Sequence, residues 1–175
     1  MNDTETPPSV TRLQFPTLSQ LEPLPIVYQG AVPAAYLDMM GHMNVRYYLA
    51  LFDEAAWTFF ERFGMDQAYY NSKQGGAFAL QHFINYRAEV RHNDQLTIRG
   101  RMLGRSAKRV HFMLFMVNET QGKLAATLED MGAHADLDQR RTSPFPLAIA
   151  TQIDALIAQH NQLHWQAPLC GVINP

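Results

Sequence analysis

The sequence predicts an α+β fold, a curled antiparallel β-sheet wrapped around one long central helix, followed by a second helix near the C-terminal end. Three observations carry this. Between Val45 and Phe63 the residues Val45, Tyr48, Leu49, Phe52, Ala55, Ala56, Phe59, Phe60 and Phe63 recur at spacings of three and four, a broad apolar face. The opposite face carries Ala50, Leu51 and Trp57 with few charges, so protein is expected on more than one side of this helix. From Ala77 onward the pattern changes to four β-rich segments separated by turn signals.

Taken in order, residues 1–24 are rich in Pro, Thr, Ser and Asn and read as a tail draped over the domain or left mobile. The domain is expected to span 25–143. It opens with the strand IVYQGAV, Ile26 to Val32, which stops before Pro33. A loop then leads to Asn44, whose side-chain oxygen suits an N-cap for the long helix, and Gly64 is its expected stop. The strands are AFALQHFINY, DQLTIRGRML, KRVHFMLFMVN and KLAATLEDMGAHADL, separated at RHND, GRSA and NETQGK. Residues 144–175 form a C-terminal helix and tail, the helix starting at the Ser143-Pro144 signal and continuing through SPFPLAIATQIDALIAQHNQLH.

Composition excludes several classes. An apolar content of 47% with ten Phe, seven Tyr and two Trp rules out a disordered chain, and a formal charge of -2 gives no global attraction to nucleic acid. One cysteine, Cys170, leaves no intrachain disulfide and no thiolate cluster, which fits a reducing cytosol. No apolar run reaches the roughly 20 residues of a membrane span, and the acidic start MNDTETPPSV lacks the pattern of a signal peptide. The expectation is a cytoplasmic protein with no nucleic-acid or membrane partner. There is no glycine-rich phosphate loop.

The stretch Asp38-Met39-Met40-Gly41-His42-Met43-Asn44, followed by Tyr48-Leu49 and Phe52-Asp53-Glu54-Ala55, resembles the opening of the 4-hydroxybenzoyl-CoA thioesterase family of hot-dog proteins. The segments INYRAEVRHNDQLTIRGRML, KRVHFMLFMV and KLAATLEDMGAHADL are similar to that family's later strands, so the likeness covers roughly Val27 to Phe145. Within the family, GHMN, AKRVHF and HADLDQRRTSPFP are most similar to the betainyl-CoA thioesterase branch of carnitine catabolism. The resemblance implies a hot-dog fold and hydrolysis of a small acyl-CoA, with betainyl-CoA as the leading substrate. It also implies self-association as a homodimer or homotetramer, and neither metal nor other cofactor. The alternatives are a thioesterase for another short-chain or aromatic acyl-CoA, and a non-catalytic acyl-CoA-binding hot-dog protein.

Thioester hydrolysis needs an oxygen nucleophile or base on one side of the carbonyl and hydrogen-bond donors for the developing oxyanion on the other. A helix N-terminus supplies such donors. The resemblance therefore makes Asp38 the catalytic acid, acting as nucleophile or as general base, and the Val45 amide the oxyanion donor. Gly41 lets the loop turn tightly. His42 and Asn44 complete the catalytic set as loop-ordering donor and helix cap, either of which is a structural role as much as a chemical one.

Met43, together with Met39 and Met40, is expected to line an acyl pocket, although Met also fills cores. Glu54, beside Asp53, is a second carboxylate on the helix and is equally readable as a solvated helix acid. Tyr47, Tyr48 and Trp57 are candidates for a cation-π box around a trimethylammonium group, or for core packing. Arg105, Ser106, Lys108 and Arg109, at an interstrand turn, are candidates for the CoA phosphates, or a solvated turn. His134, Asp136 and Asp138 alternate along a strand, which is read as outward polarity and not as a metal site.

Overall fold

The computed structural model describes residues 13–73 and 75–175. The chain enters through one helical turn, α1 (Leu18–Leu21), capped by Thr17 in a capping box with Gln20. Strand β1 follows (Ile26–Ala31). The long helix is α2 (Val45–Glu61), and Asn44 caps it as the sequence suggests, its side-chain oxygen accepting from the Arg46 N–H at 3.2 Å. Its C-terminal end is closed at Gly64, which takes φ +89°; the Met65 N–H reaches back to the Phe60 carbonyl and the Gly64 N–H to that of Glu61. A short helix α3 (Gln67–Asn71), capped by Asp66, was not signalled by any apolar periodicity.

Four long strands follow, β2 (Gly76–Tyr86), β3 (Gln95–Arg105), β4 (Arg109–Asn118) and β5 (Lys123–Asp136), then a two-residue β6 (Arg141–Thr142). All ladders are antiparallel, in the order β1-β3-β4-β5-β2, with β6 extending the pairing of β5. The sheet curls around α2. This is the hot-dog architecture that the family likeness implies.

Both faces of the sheet are covered, which is why β4 is buried along nearly its whole length and reads as a continuous apolar run. Val110, Phe112, Leu114 and Met116 face inward and pack with Phe52, Ala55, Phe59 and Phe60 of α2. Met113, Phe115 and Val117 face outward, where Leu21 and Leu24 cover them, with Leu163 and Trp165 of the C-terminal segment. The part of the expected tail that the structure describes, 13–24, is therefore laid over the outer face; residues 1–12 lie outside the described residues. Gly100 of β3 allows α2 to sit close, because a Cβ there would meet the Phe59 ring at 2.7 Å.

Two expectations need correction. The C-terminal helix α4 (Leu147–His160) begins four residues after Ser143, because Ser143 is engaged elsewhere: its N–H donates to the His134 carbonyl and its hydroxyl lies 2.9 Å from His134 Nδ1. The second correction concerns the sides of α2. Leu51 is buried, but Val45, Leu49 and Trp57 are 61%, 39% and 48% exposed and Ala50 is exposed as well. The sheet curls around one side of the helix and leaves an apolar stripe open.

Candidate active site

The loop between β1 and α2 is held as a small hairpin of its own. Leu37 and Met43 form an isolated antiparallel bridge, the Asp38 N–H donates to the His42 carbonyl at 2.9 Å, and the Gly41 N–H returns to the Asp38 carbonyl at 3.1 Å. Gly41 takes φ +82° to close this turn, a conformation that a side chain would strain. The Met43 N–H donates to the Val90 carbonyl and the Asn44 N–H to that of Tyr36. The loop is thus tied both to the segment after β2 and to itself.

Asp38 is half-buried. One carboxylate oxygen, Oδ1, accepts from the Met40 N–H at 2.8 Å and from the His42 N–H at 3.4 Å. Those bonds fix the plane of the group, and among the described residues nothing holds Oδ2. At the start of α2, Asn44 takes the Arg46 N–H through its side chain and the Tyr47 N–H through its carbonyl. The Val45 N–H is left without an acceptor among the described residues, on a residue that is 61% exposed. The loop thus carries a fixed carboxylate with one unspent oxygen, and the start of α2 that follows it an unspent amide, both among the described residues.

His42 turns the other way. Its Nε2 lies 3.1 Å from Glu89 Oε2, and the same oxygen accepts from Arg91 at 3.1 Å. Glu89 is the partner that sequence reading missed, since nothing in RAEVRHND distinguishes it from an ordinary turn acid. Beneath it Asp94 anchors the turn, accepting from the Arg91 N–H at 2.9 Å, Asn118 at 2.6 Å and Gln121 at 2.9 Å. Burial pushes the Asp94 carboxyl up, but these hydrogen bonds outweigh it and hold it below its ordinary range.

The other predicted residues scatter. Met43 is in the core at 3% exposure, whereas Met39 and Met40 are on the surface at the loop tip. Glu54 is exposed on α2. Tyr47 stacks on Tyr36 with ring centroids 4.0 Å apart, and the Arg46 guanidinium lies 4.7 Å from its centroid. Trp57 meets Tyr70 edge-on and donates to Asp53 at 3.4 Å. Ten residues of helix separate Tyr47 from Trp57, about 15 Å, so within one protomer they do not line one box.

The basic turn is split between structural and unspent groups. Arg105 is clamped by Asp154 of α4 through two 2.6 Å hydrogen bonds, and Ser106 accepts the Arg109 N–H to form the turn. Lys108 and Arg109 have no ion pair among the described residues. This turn sits at the far end of β3 from the Asp38 loop, roughly 30 Å along an eleven-residue strand. His134 contacts Tyr69 at 2.6 Å and Ser143, and among the described residues no group of three His, Cys, Asp or Glu side chains is placed to hold a metal.

Residues 32–153, which hold the loop, α2 and all four long strands, match the family model of the thioesterase-like superfamily. The chain belongs to that superfamily. It is 26% identical to a betainyl-CoA thioesterase of Pseudomonas aeruginosa over 136 residues, 78% of this chain and 86% of the relative. It is 31% identical to an L-carnitine dehydrogenase/betainyl-CoA thioesterase of Agrobacterium fabrum over 133 residues, 76% of this chain but 27% of that longer relative. Among solved structures, a Staphylococcus aureus protein in complex with CoA superposes with a TM-score of 0.76 at 23% identity, covering 87% of this chain and 96% of the other.

Proposed function

We propose that this member of the superfamily is an acyl-CoA thioesterase and that betainyl-CoA is its substrate. What supports the reading is that Asp38 Oδ2 and the Val45 N–H are each without a partner among the described residues, in the hydrogen-bonded loop and at the helix start that it leads into. In the proposed step Asp38 takes a proton from water as the new C–O bond forms at the thioester carbon. The Val45 amide receives the oxyanion. Collapse breaks the C–S bond, and the proton held by Asp38 passes to the departing thiolate, giving the free acid and CoA.

The betainyl assignment is supported by the names of the curated relatives, one free-standing and one fused to a dehydrogenase. Geometry narrows how the cation would be met. The ammonium nitrogen of a betainyl group lies about 2.5 Å from its carbonyl carbon. Trp57 is twelve residues beyond Val45, about 18 Å along the helix, so within one protomer the rings in reach are those at the helix start. The CoA phosphates would lie on Lys108 and Arg109 of a second copy, because an extended pantetheine arm of about a dozen bonds reaches on the order of 15 Å, short of the protomer's own turn.

The test is a hydrolysis panel containing betainyl-CoA, its neutral isostere 3,3-dimethylbutanoyl-CoA, and short-chain and aromatic acyl-CoAs. Betainyl-CoA should have the highest kcat/KM, at least tenfold above the isostere. A higher value for another acyl group overturns the substrate, and binding without CoA release overturns the activity.

A further inference from the structure

The segment between β2 and β3 reaches the Asp38 loop at two neighbouring points. The Met43 N–H donates to the Val90 carbonyl at 2.7 Å, and one residue earlier on each side the His42 ring donates from Nε2 to Glu89 Oε2 at 3.1 Å. Two consecutive residues of the segment thus grip two consecutive residues of the loop. Glu89 is seated in its turn. Its Oε2 also accepts from Arg91 at 3.1 Å, and its carbonyl accepts from the Gln121 side chain at 3.3 Å. The Arg91 N–H and the Gln121 side chain both donate to the buried Asp94 carboxylate, at 2.9 Å each, so the grip is anchored at the β4–β5 connection.

His42 is where the hold on Asp38 is most easily lost. Of the two amides on Oδ1, that of Met40 is at 2.8 Å, whereas that of His42 is at 3.4 Å, near the limit for a hydrogen bond. A shift of about half an ångström at His42 would break the second bond and free the plane of the carboxylate. Among the described residues, the ion pair with Glu89 is what restrains the His42 side chain. That pair does little for stability, because the Glu89 side chain is 56% exposed and solvent screens it. Its effect falls on geometry.

On the reading proposed above, with Asp38 as the base, we infer that Glu89 is a positioning residue of the thioester site. Through His42 it holds the second amide on Oδ1, and with it the direction in which the other oxygen of Asp38 points. Glu89 itself touches neither substrate nor the reacting atoms. Chemistry at a carbonyl tolerates little slack, since a misplacement of about 1 Å can cost on the order of 100-fold in rate.

Steady-state kinetics of the full-length protein on the acyl-CoA panel test this, with Glu89→Ala as the first variant. It should keep a urea midpoint close to wild type and lose about tenfold or more in kcat, with KM changed by less than about twofold. Glu89→Gln, which keeps an acceptor oxygen for the His42 Nε2–H, should regain most of that loss. Two further backgrounds separate positioning from a general disturbance. Added to His42→Ala or to Asp38→Asn, Glu89→Ala should cost less than about twofold more, because the groups it acts through are already gone. Unchanged kcat in Glu89→Ala, a loss carried by KM, stability falling in step with kcat, no recovery in Glu89→Gln, or a full tenfold further loss in either background would each overturn the role of Glu89. The Asp38 reading fails by a different result, near wild-type turnover in Asp38→Asn, and takes this role with it. A slow Asp38→Asn beside an unimpaired Glu89→Ala removes the positioning role alone.

Discussion

Asp38 divides its two oxygens between architecture and chemistry. Oδ1 holds two loop amides, so Asp38→Asn, with its side-chain oxygen in that place, keeps the loop and removes the proton acceptor. We expect turnover to fall by about 100-fold or more with KM little changed, since a positioned base commonly contributes 10²–10⁴. Single-turnover hydrolysis in oxygen-18 water then tests for the covalent route: label in Asp38 marks an anhydride opened at the Asp38 carbonyl, whereas label in the released acid alone fits attack by water at the acyl carbon of either the thioester or the anhydride. Near wild-type turnover in a folded Asn variant would reduce Asp38 to a turn residue. A different residue reports on stability. His160 is 3% exposed and its pKa is pushed down to about 4, first by burial and then by the charge of Arg101. The unfolded chain binds that proton near 6.5 and the folded chain does not until about 4, so stability is lost as pH falls through this window, by at most about 3 kcal/mol. His160→Asn keeps an acceptor for the Met102 N–H and removes the titration. Its urea midpoint should be flatter than wild type between pH 6.5 and 4, and parallel decline would refute the assignment.

At the scale of elements, α2 was legible because its information is local: a repeat of three and four, a capping Asn44 and a positive-φ Gly64 need no knowledge of the rest of the chain. The strands were legible for the same reason. The Ser143-Pro144 signal misled by four residues because a distant His134 claims Ser143, and Glu89 was invisible because its partner lies 47 positions earlier. The exposed side of α2 could not be read either, since periodicity counts apolar faces but not how far a sheet curls. The α2–β3 spacing gives a test at this scale. Gly100→Ala would press a methyl to within 2.7 Å of Phe59, and we expect destabilisation of about 1–3 kcal/mol by chemical denaturation. Phe59→Leu in the same background should recover part of that cost. If Gly100→Ala is neutral, the helix is not as tightly seated as the geometry says.

Among the described residues the sheet has two open edges, and they differ. β1 is six residues long, lies between Pro25 and Pro33 and carries a register shift between Ile26 and Tyr28, all of which discourage pairing with another chain. β2 is eleven residues long with no Lys, Arg, Asp, Glu or Pro, and Ala79 to His82 are exposed along it. The open stripe of Val45, Leu49 and Trp57 on α2 is a second uncovered apolar surface of the same protomer. A two-fold axis at β2 would pair it antiparallel with a copy, and would set the partner's Gly76 end beside this protomer's Tyr86 end. The basic turn travels with that Gly76 end, because the His134 N–H donates to the Lys108 carbonyl and His134 pairs with Ala77. Tyr86 in turn packs edge-on against Tyr48, one turn from Val45. Pairing at this edge would therefore bring a second copy's Lys108 and Arg109 toward an Asp38 loop that its own turn cannot reach. We expect a dimer or a multiple of one by light scattering at micromolar concentration. Ala79→Lys with Leu80→Lys puts two like charges on each copy at the axis, and should give a folded monomer whose kcat/KM for acyl-CoA falls at least tenfold, mostly through KM. A wild-type monomer with full activity, or a monomeric double variant with unchanged KM, would remove both the edge pairing and the shared site.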